Sequence, residues 1–583
     1  MRNIVMVAVL AGTGAWAQIP VPDTPAGHLY SAWRRAQDSG DRATVQQFID
    51  SSMPWGRADA ELAMGKQNGG YDIKKVETSG DANLVVLAQE RGPARQFFRI
   101  TLNASADGKQ IAGIRIQPAQ PPPELAPPKM TAAEIEAARK GAPYRQFSAW
   151  LEAFNSGDRT RMDDFLKANF PSANLDAQMN FRERTSGLEL RAIEQAAATS
   201  LTGLVQERAS DQFGRFTIVI DAEEPHRITR FPINAIPRPP EFALARMSEP
   251  EVVAALRTQL EKDAASERFA GAVLLAKNGK VLFSEAYGLA DREKKVSNKL
   301  DTRFRIGSMN KMFTAVSVLQ LVQAGKIKLT DPIGKYITDY PNQEVAAKVT
   351  IHHLLTHTGG TGDIFGPEYD AHRLELRTLN DYVALYGKRA PAFEPGSRWV
   401  YSNYGMLLAG VVIEKVSGQT YYDYVAEHVY KPAGMTRSGS EPESQSVPDR
   451  SVGYMRKPGA GGWTPNSDTL PYRGTSAGGG YSTVGDLLKF ADAILGHKLL
   501  NAEYTDLLIT GKVDTGNGAR YAYGFEDGRN NGVGAVGHSG GAPGMSGDLR
   551  IYPQSGYVVV VLSNLDPPAA PQVSGFLDLR LPR

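Results

Sequence analysis

The sequence predicts an α+β multi-domain protein, in which two tandem small α+β domains precede a larger domain built on an antiparallel sheet flanked by helices, with an inserted helical region. Three observations carry this. A chain of 583 residues with 42% hydrophobic content is too long for one core and suggests several domains. A set of short phrases recurs at a fixed offset in the N-terminal 245 residues. Strand-like runs near residue 275 and near residue 555 bracket a long stretch of largely helical spacing.

Taken in order, residues 1–17 read as a secretion signal. Met1-Arg2 supplies a positive charge, Ile4 to Leu10 is apolar, and Ala15-Trp16-Ala17 fits a small-residue cleavage site. The apolar run is short for a membrane span, and no later segment looks transmembrane. A secreted or periplasmic location is therefore expected, with no integral membrane segment beyond the signal.

The repeat follows, in domains placed at 18–127 and 128–245. Ser31-Ala32-Trp33 with Ser39-Gly40-Asp41 returns as Ser148-Ala149-Trp150 with Ser156-Gly157-Asp158. From 33 to 150 the offset is 117, and Gln89-Glu90-Arg91 returns at that offset as Gln206-Glu207-Arg208. Each copy opens with helical spacing of Trp, Ala and Phe and continues in alternating strands, at 83–88 and 96–102, then at 200–206 and 215–220. Each closes in a proline-rich linker. The pattern is similar to SnoaL-like small α+β cones. Neither copy shows a constellation for chemistry, so the pair reads as a packing or substrate-docking module.

The larger domain is placed at 246–583. Ala270 to Ala276 and Lys280 to Ser284 read as strands around Lys277-Asn278-Gly279-Lys280, a hairpin signal, and are expected to pair with strands at 548–552 and 557–563. Between them Ser308 stands three residues ahead of Lys311 at the head of an apolar helix. Residues i and i+3 share a helix face, so hydroxyl and ammonium can meet. The helix start also turns free N–H groups toward the serine oxygen. An attacking alkoxide needs that setting and a base beside it. Lys311 serves as base if burial lowers its pKa from about 10.4 toward 7, at a cost of about 4–5 kcal/mol. Alternatively it stays charged and depresses the pKa of Tyr401, whose phenolate then takes the proton. Asn403, two residues on, faces the same way as Tyr401 in an extended segment, where an amide can hold Lys311 and a substrate amide at once.

Ser308-x-x-Lys311, Tyr401-Ser402-Asn403 and His538-Ser539-Gly540, in that order, resemble the serine β-lactamase/penicillin-binding-protein superfamily, including class C β-lactamases, D,D-peptidases, D-aminopeptidases and family VIII esterases. His357-Thr358-Gly359-Gly360, Pro432-Ala433-Gly434-Met435 and Gly478-Gly479-Gly480-Tyr481 add to the likeness. The resemblance implies a β-lactamase-like domain, with Ser308, Lys311 and Tyr401 catalytic and Asn403, His538, Gly540 and Gly541 binding substrate. Lys311 and Tyr401 would share the base, and the N–H groups of Ser308 and Gly541 would form an oxyanion hole. His538 stands where β-lactamases of this type carry lysine, which is closer to D-peptidases and some esterases. It would bond the tyrosine hydroxyl, or a substrate carboxylate when protonated.

The function expected is an exported serine hydrolase that forms an acyl-enzyme on an ester, a D-amino-acid peptide or a related amide, cell-wall-derived peptides among them. The alternatives are a catalytically silent sensor or binding module, or a true β-lactamase. No cofactor and no metal are expected. Cysteine is absent, so thiolate chemistry is excluded. His353 and His357 are spaced like zinc ligands but lack a third ligand and an intervening glutamate. Net charge is +2 with no basic block, which argues against nucleic acid. Gly537-His538-Ser539-Gly540-Gly541 also matches an α/β-hydrolase elbow, although no histidine follows it. The stretches 360–386 and 457–475 read as loops walling a cleft.

Overall fold

The computed structural model describes residues 19–582, apart from 93, 106, 120, 122, 126–127, 458–461, 517–518 and 530–533. The signal segment expected at 1–17 lies outside the described residues. The described chain divides after Phe242 into two compact units. No helix among the described residues is long and apolar enough to cross a membrane.

The first unit contains two small sheets, each preceded by helices. Helices Pro25–Ser39, Arg42–Ser52 and Ala58–Asn68 lead into a four-stranded antiparallel sheet, Tyr71–Ser79, Asn83–Glu90, Phe97–Ala104 and Ile111–Pro118 in chain order. Helices Ala142–Ser156, Arg159–Asn169 and Leu175–Thr185 lead into a second, five-stranded sheet that begins with Leu188–Ala197, Ser200–Glu207 and Phe213–Ile220. Trp33 and Trp150 are both fully buried, one in each core. A buried indole N–H needs an acceptor. Trp33 Nε1 donates to Glu61 Oε2 at 2.9 Å, and Trp150 Nε1 donates to Gln178 Oε1 at 3.2 Å. Glu90, whose side chain is 0% exposed, pairs with Arg230 at 2.8 Å, and Gln96 Nε2 donates to Thr217 Oγ1 at 2.6 Å, so the two sheets are tied by polar contacts.

In the second unit the elements that position the site are, in chain order, α1 (Glu249–Ala265), β1 (Gly271–Lys277), β2 (Lys280–Tyr287), α2 (Asn310–Gln323), α3 (Asn403–Ser417), α4 (Val484–Leu495), β3 (Val513–Asp514), β4 (Arg520–Tyr521), β5 (Glu526–Asp527), β6 (Val536–Ala542), β7 (Met545–Tyr552), β8 (Tyr557–Ser563) and α5 (Ala569–Asp578). The eight strands form one antiparallel sheet in the order β2-β1-β8-β7-β6-β5-β4-β3. The expected hairpin is present: Lys277 pairs with Lys280 across Asn278 and Gly279, both at positive φ. Its pairing with the strand at 557–563 is present too, Val273 opposite Val561.

Successive strand side chains face opposite ways, and both faces here are covered. Ala272, Leu274, Ala276, Val560 and Leu562 point into the large core with α2, α3 and α4. Val273, Leu275, Val559 and Val561 point into a second core against Leu256 and Leu260 of α1 and Val573 and Leu577 of α5. This double burial is why the strands read as unbroken apolar runs rather than alternating ones.

Two stretches differ from the loops expected. The stretch 360–386 contains helices Pro367–His372 and Leu379–Tyr386. The second starts on a capping box between Thr378 and Asp381, and the first has Pro367 in its opening turn, the position that suits a residue without an N–H. The stretch 457–475 contains a short strand, Trp463–Pro465, paired with Tyr454–Arg456.

Candidate active site

Ser308 lies in a 3-10 turn, Gly307–Met309, that runs directly into α2. Gly307 has φ of 52°, a conformation that costs glycine little, and a Cβ there would sit 3.0 Å from Gly541 N. Two backbone bonds clamp the turn from the Gly478–Gly480 run: Gly479 N donates to Gly307 O at 3.1 Å and Ile306 N donates to Gly480 O at 3.3 Å. On the other side β6 approaches so closely that a Cβ at Gly540 would fall on the Ile306 carbonyl oxygen. Gly540 thus lets the strand pack directly against the turn. Gly541 stands next along β6, beside the turn that holds Ser308.

The first turns of α2 aim three polar side chains at consecutive loop carbonyls. Asn310 Nδ2 donates to Thr475 O, Lys311 Nζ to Ala477 O, and Thr314 Oγ1 to Ser476 O at 2.7 Å. Lys311 is fully buried. Its Nζ is 3.1 Å from Ser308 Oγ, 2.8 Å from Asn403 Oδ1 and 4.7 Å from the centre of the Tyr401 ring. Burial lowers the Lys311 pKa to about 7, with the Asp363 charge acting the other way. Tyr401 moves oppositely. Burial, with the charges of Glu526 and Asp363, raises its pKa well above the ordinary phenol value, against a hydrogen bond with Ser308 that lowers it. Of the two bases left open by the sequence, only the amine is brought near neutrality.

Tyr401 and Asn403 converge on Lys311 for a reason other than the extended segment expected. Ser402 is the N-cap of α3, its Oγ accepting from Gly405 N, and Asn403 is already the first helical residue. The amide of Asn403 is engaged on both sides, with Nδ2 donating to the exposed Asp363 carboxylate at 3.0 and 3.2 Å.

His538 is buried, and its partners fix its tautomer. Nδ1 faces the Ser539 carbonyl at 2.5 Å and must donate, so Nε2 accepts from the Tyr521 hydroxyl at 2.9 Å. Burial, reinforced by Lys311, lowers its pKa to about 3. The tyrosine it bonds is therefore Tyr521 rather than Tyr401, and a protonated, carboxylate-binding His538 does not fit this environment. His357 packs beneath these rings: it lies 4.4 Å from the ring of Tyr401 and 4.6 Å from that of Tyr521. Its Nδ1 accepts from Ser402 N, and burial holds it neutral.

The rival nucleophile fails on geometry. Ser539 is mid-strand in β6, which turns into β7 and not into a helix, and its Oγ is 3.5 Å from Glu526 with no histidine as partner. Sequence reasoning missed Asp363, the Ala477 carbonyl and Tyr521. Asp363 ends a glycine-rich turn 40 residues before Asn403, and no local spacing couples the two.

Fold and site together define a β-lactamase-fold hydrolase. The chain belongs to the beta-lactamase family, whose model matches residues 256–580. PbpX of Bacillus subtilis (strain 168), which bears a penicillin-binding-protein name, is 30% identical over 327 residues, covering 54% of this chain and 76% of its own. Esterase EstB of Burkholderia gladioli is 35% identical over 198 residues, 31% of this chain and 50% of its own. A penicillin-binding protein from Bacillus halodurans matches structurally with a TM-score of 0.50 and 33% identity, over 55% of this chain and 99% of its own.

Proposed function

We propose that this protein is an exported serine hydrolase in which Ser308 forms an acyl-enzyme with an ester, a D-amino-acid peptide or a related amide. The observation that carries the reading is the set of contacts around the Lys311 amine. A neutral amine has two N–H donors and one lone pair. Asn403 Oδ1 and the Ala477 carbonyl are acceptors only and take both donors. The lone pair is left for the third neighbour, the Ser308 hydroxyl. Lys311 removes the serine proton as Oγ attacks the carbonyl carbon, and the resulting ammonium is stabilised by the same two acceptors. The N–H groups of Ser308 and Gly541 receive the oxyanion, a contribution of about 3–4 kcal/mol for each such donor. Tyr401 keeps its proton and passes it to the leaving group, and Lys311 restores it.

His538, neutral and held by Tyr521, braces β6 beside the serine, and this supports an esterase or D-peptidase reading over a dedicated β-lactamase. The likeness to EstB supports the same side. For the N-terminal unit the proposal is two SnoaL-like copies, supported by the matched roles of Trp33 and Trp150 and by the like order of helices and strands. A cavity of about 520 Å³ between their sheets, lined by Phe97, Met130, Ile193 and Leu204, supports docking of a substrate or ligand there.

A fluorophosphonate probe should label the wild-type protein at Ser308, and Ser308→Ala should abolish both labelling and turnover of p-nitrophenyl esters, while Ser539→Ala leaves them in place. Undiminished labelling of Ser308→Ala would remove the assignment. A stable adduct without turnover on esters or D-Ala peptides would favour the sensor.

A further inference from the structure

Asn403 offers two chemically opposite ends, and the work of Lys311 depends on which end faces it. With Oδ1 toward the amine, Asn403 accepts an N–H, and the Lys311 lone pair stays on Ser308. With the amide turned over, Nδ2 would point a donor at the same nitrogen and compete with Ser308 for its lone pair. Nothing in the Asn403 side chain favours one arrangement, since its two ends have nearly the same shape.

We infer that Asp363 is a positioning residue for the reaction, locking the Asn403 amide so that its oxygen faces Lys311. A carboxylate only accepts hydrogen bonds, so it tolerates Nδ2 and rejects Oδ1. Asp363 meets Nδ2 with both oxygens, at 3.0 and 3.2 Å, and also accepts from the Asn403 backbone N at 3.3 Å. The chain of contacts Asp363–Asn403–Lys311–Ser308 therefore has a fixed direction: each donor and acceptor is set by the carboxylate at its outer end. The backbone holds that end in place, with the Asp363 carbonyl accepting from Arg389 at 2.7 Å and its carboxylate accepting from Ile364 N at 2.7 Å.

The inference rests on the proposed roles of Ser308 and Lys311, and it predicts a signature that simple loss of stability does not give. The titratable groups around the Lys311 amine are Tyr401, His357, His538 and Asp363, and behind Tyr401 stands Glu526, a carboxyl whose pKa is raised by desolvation to about 7. The two histidines are held neutral and Tyr401 keeps its proton, which leaves Asp363 as the charge acting on the amine. A negative charge favours the ammonium, so its removal lowers the pH at which the amine becomes free.

The test is kcat/KM for p-nitrophenyl butyrate as a function of pH, for wild type, Asp363→Asn, Asp363→Glu and Ser308→Ala. Asp363→Asn frees the amide to turn over and removes the charge. Its plateau should fall about 10-fold or more, part of the about 10²–10⁴ that a positioned base contributes, chiefly in kcat. Its acid limb should move to lower pH by about half a unit or more. Asp363→Glu should keep the wild-type limb. A folded fraction that is constant across the pH range scales the plateau and leaves the limb in place, so a partly folded variant still reports. An Asp363→Asn plateau equal to that of wild type, or a limb superimposed on the wild-type limb, overturns the positioning role, while turnover retained in Ser308→Ala overturns the reading of the site itself.

Discussion

At the scale of single residues, a lysine buried without a carboxylate in contact behaves as an amine. Desolvation costs the charged form most, and the two acceptors beside Lys311 Nζ are carbonyl oxygens, not anions. The sign follows directly. Below about pH 7 the group is an ammonium with no lone pair and Ser308 has no base; above it the amine is free. The value of kcat/KM for an ester should therefore rise through a limb centred near pH 7 and level off, which a pH–rate profile reads directly. Tyr401 titrates in the other direction, so Tyr401→Phe should lower the plateau and leave the limb where it is. A limb that vanishes in Tyr401→Phe would return the base to the phenolate. Much at this scale was legible because Ser308 and Lys311, and likewise Tyr401 and Asn403, are near neighbours in sequence whose chemistry shows in the motif. The charge state of His538 was not legible, because its depressed pKa comes from burial and from Lys311, 227 positions away, from 311 to 538.

At the scale of elements, the site is built by one strand leaning on one turn. β6 reaches the Ile306–Ser308 segment only because residue 540 has no side chain. A methyl there must displace the strand or the turn. Gly540→Ala should cost about 1–3 kcal/mol in stability as overpacking does, and should slow acylation far more than its stability loss explains. Urea denaturation with a parallel burst assay on p-nitrophenyl acetate separates the two effects; equal acylation rates in variant and wild type would mean that the close approach is only packing. The hairpin at 277–280 and the strands at 545–563 were legible from turn chemistry and apolar runs. The helices at 367–372 and 379–386 were hidden by glycine and charge around them, although the Thr378–Asp381 capping pair carried the signal.

At the scale of the whole molecule, two small helix-and-sheet regions ahead of the larger domain were legible in the patterning, whereas the polar ties between the two small sheets were not. Glu90 and Arg230 are 140 residues apart and belong to different sheets. Glu90→Ala would leave the largely buried Arg230 without its carboxylate and with Gln96 Oε1 as an acceptor, and a broken buried pair costs about 3–5 kcal/mol. Chemical denaturation followed by tryptophan fluorescence, to which Trp33 and Trp150 contribute among the six tryptophans, should show that loss. An unshifted midpoint would mean that water replaces the missing carboxylate.

The strand order of the large sheet also sets a schedule. β1, made early, sits between β2 and β8, so Val273 waits for Val561, 288 positions later from 273 to 561. Closing so long a loop is entropically slow, and contacts of that range delay assembly. The serine at 308 is therefore synthesised well before the strand at 536–542 that packs against its turn, so the surroundings of the proposed nucleophile are complete only once the final strands have arrived.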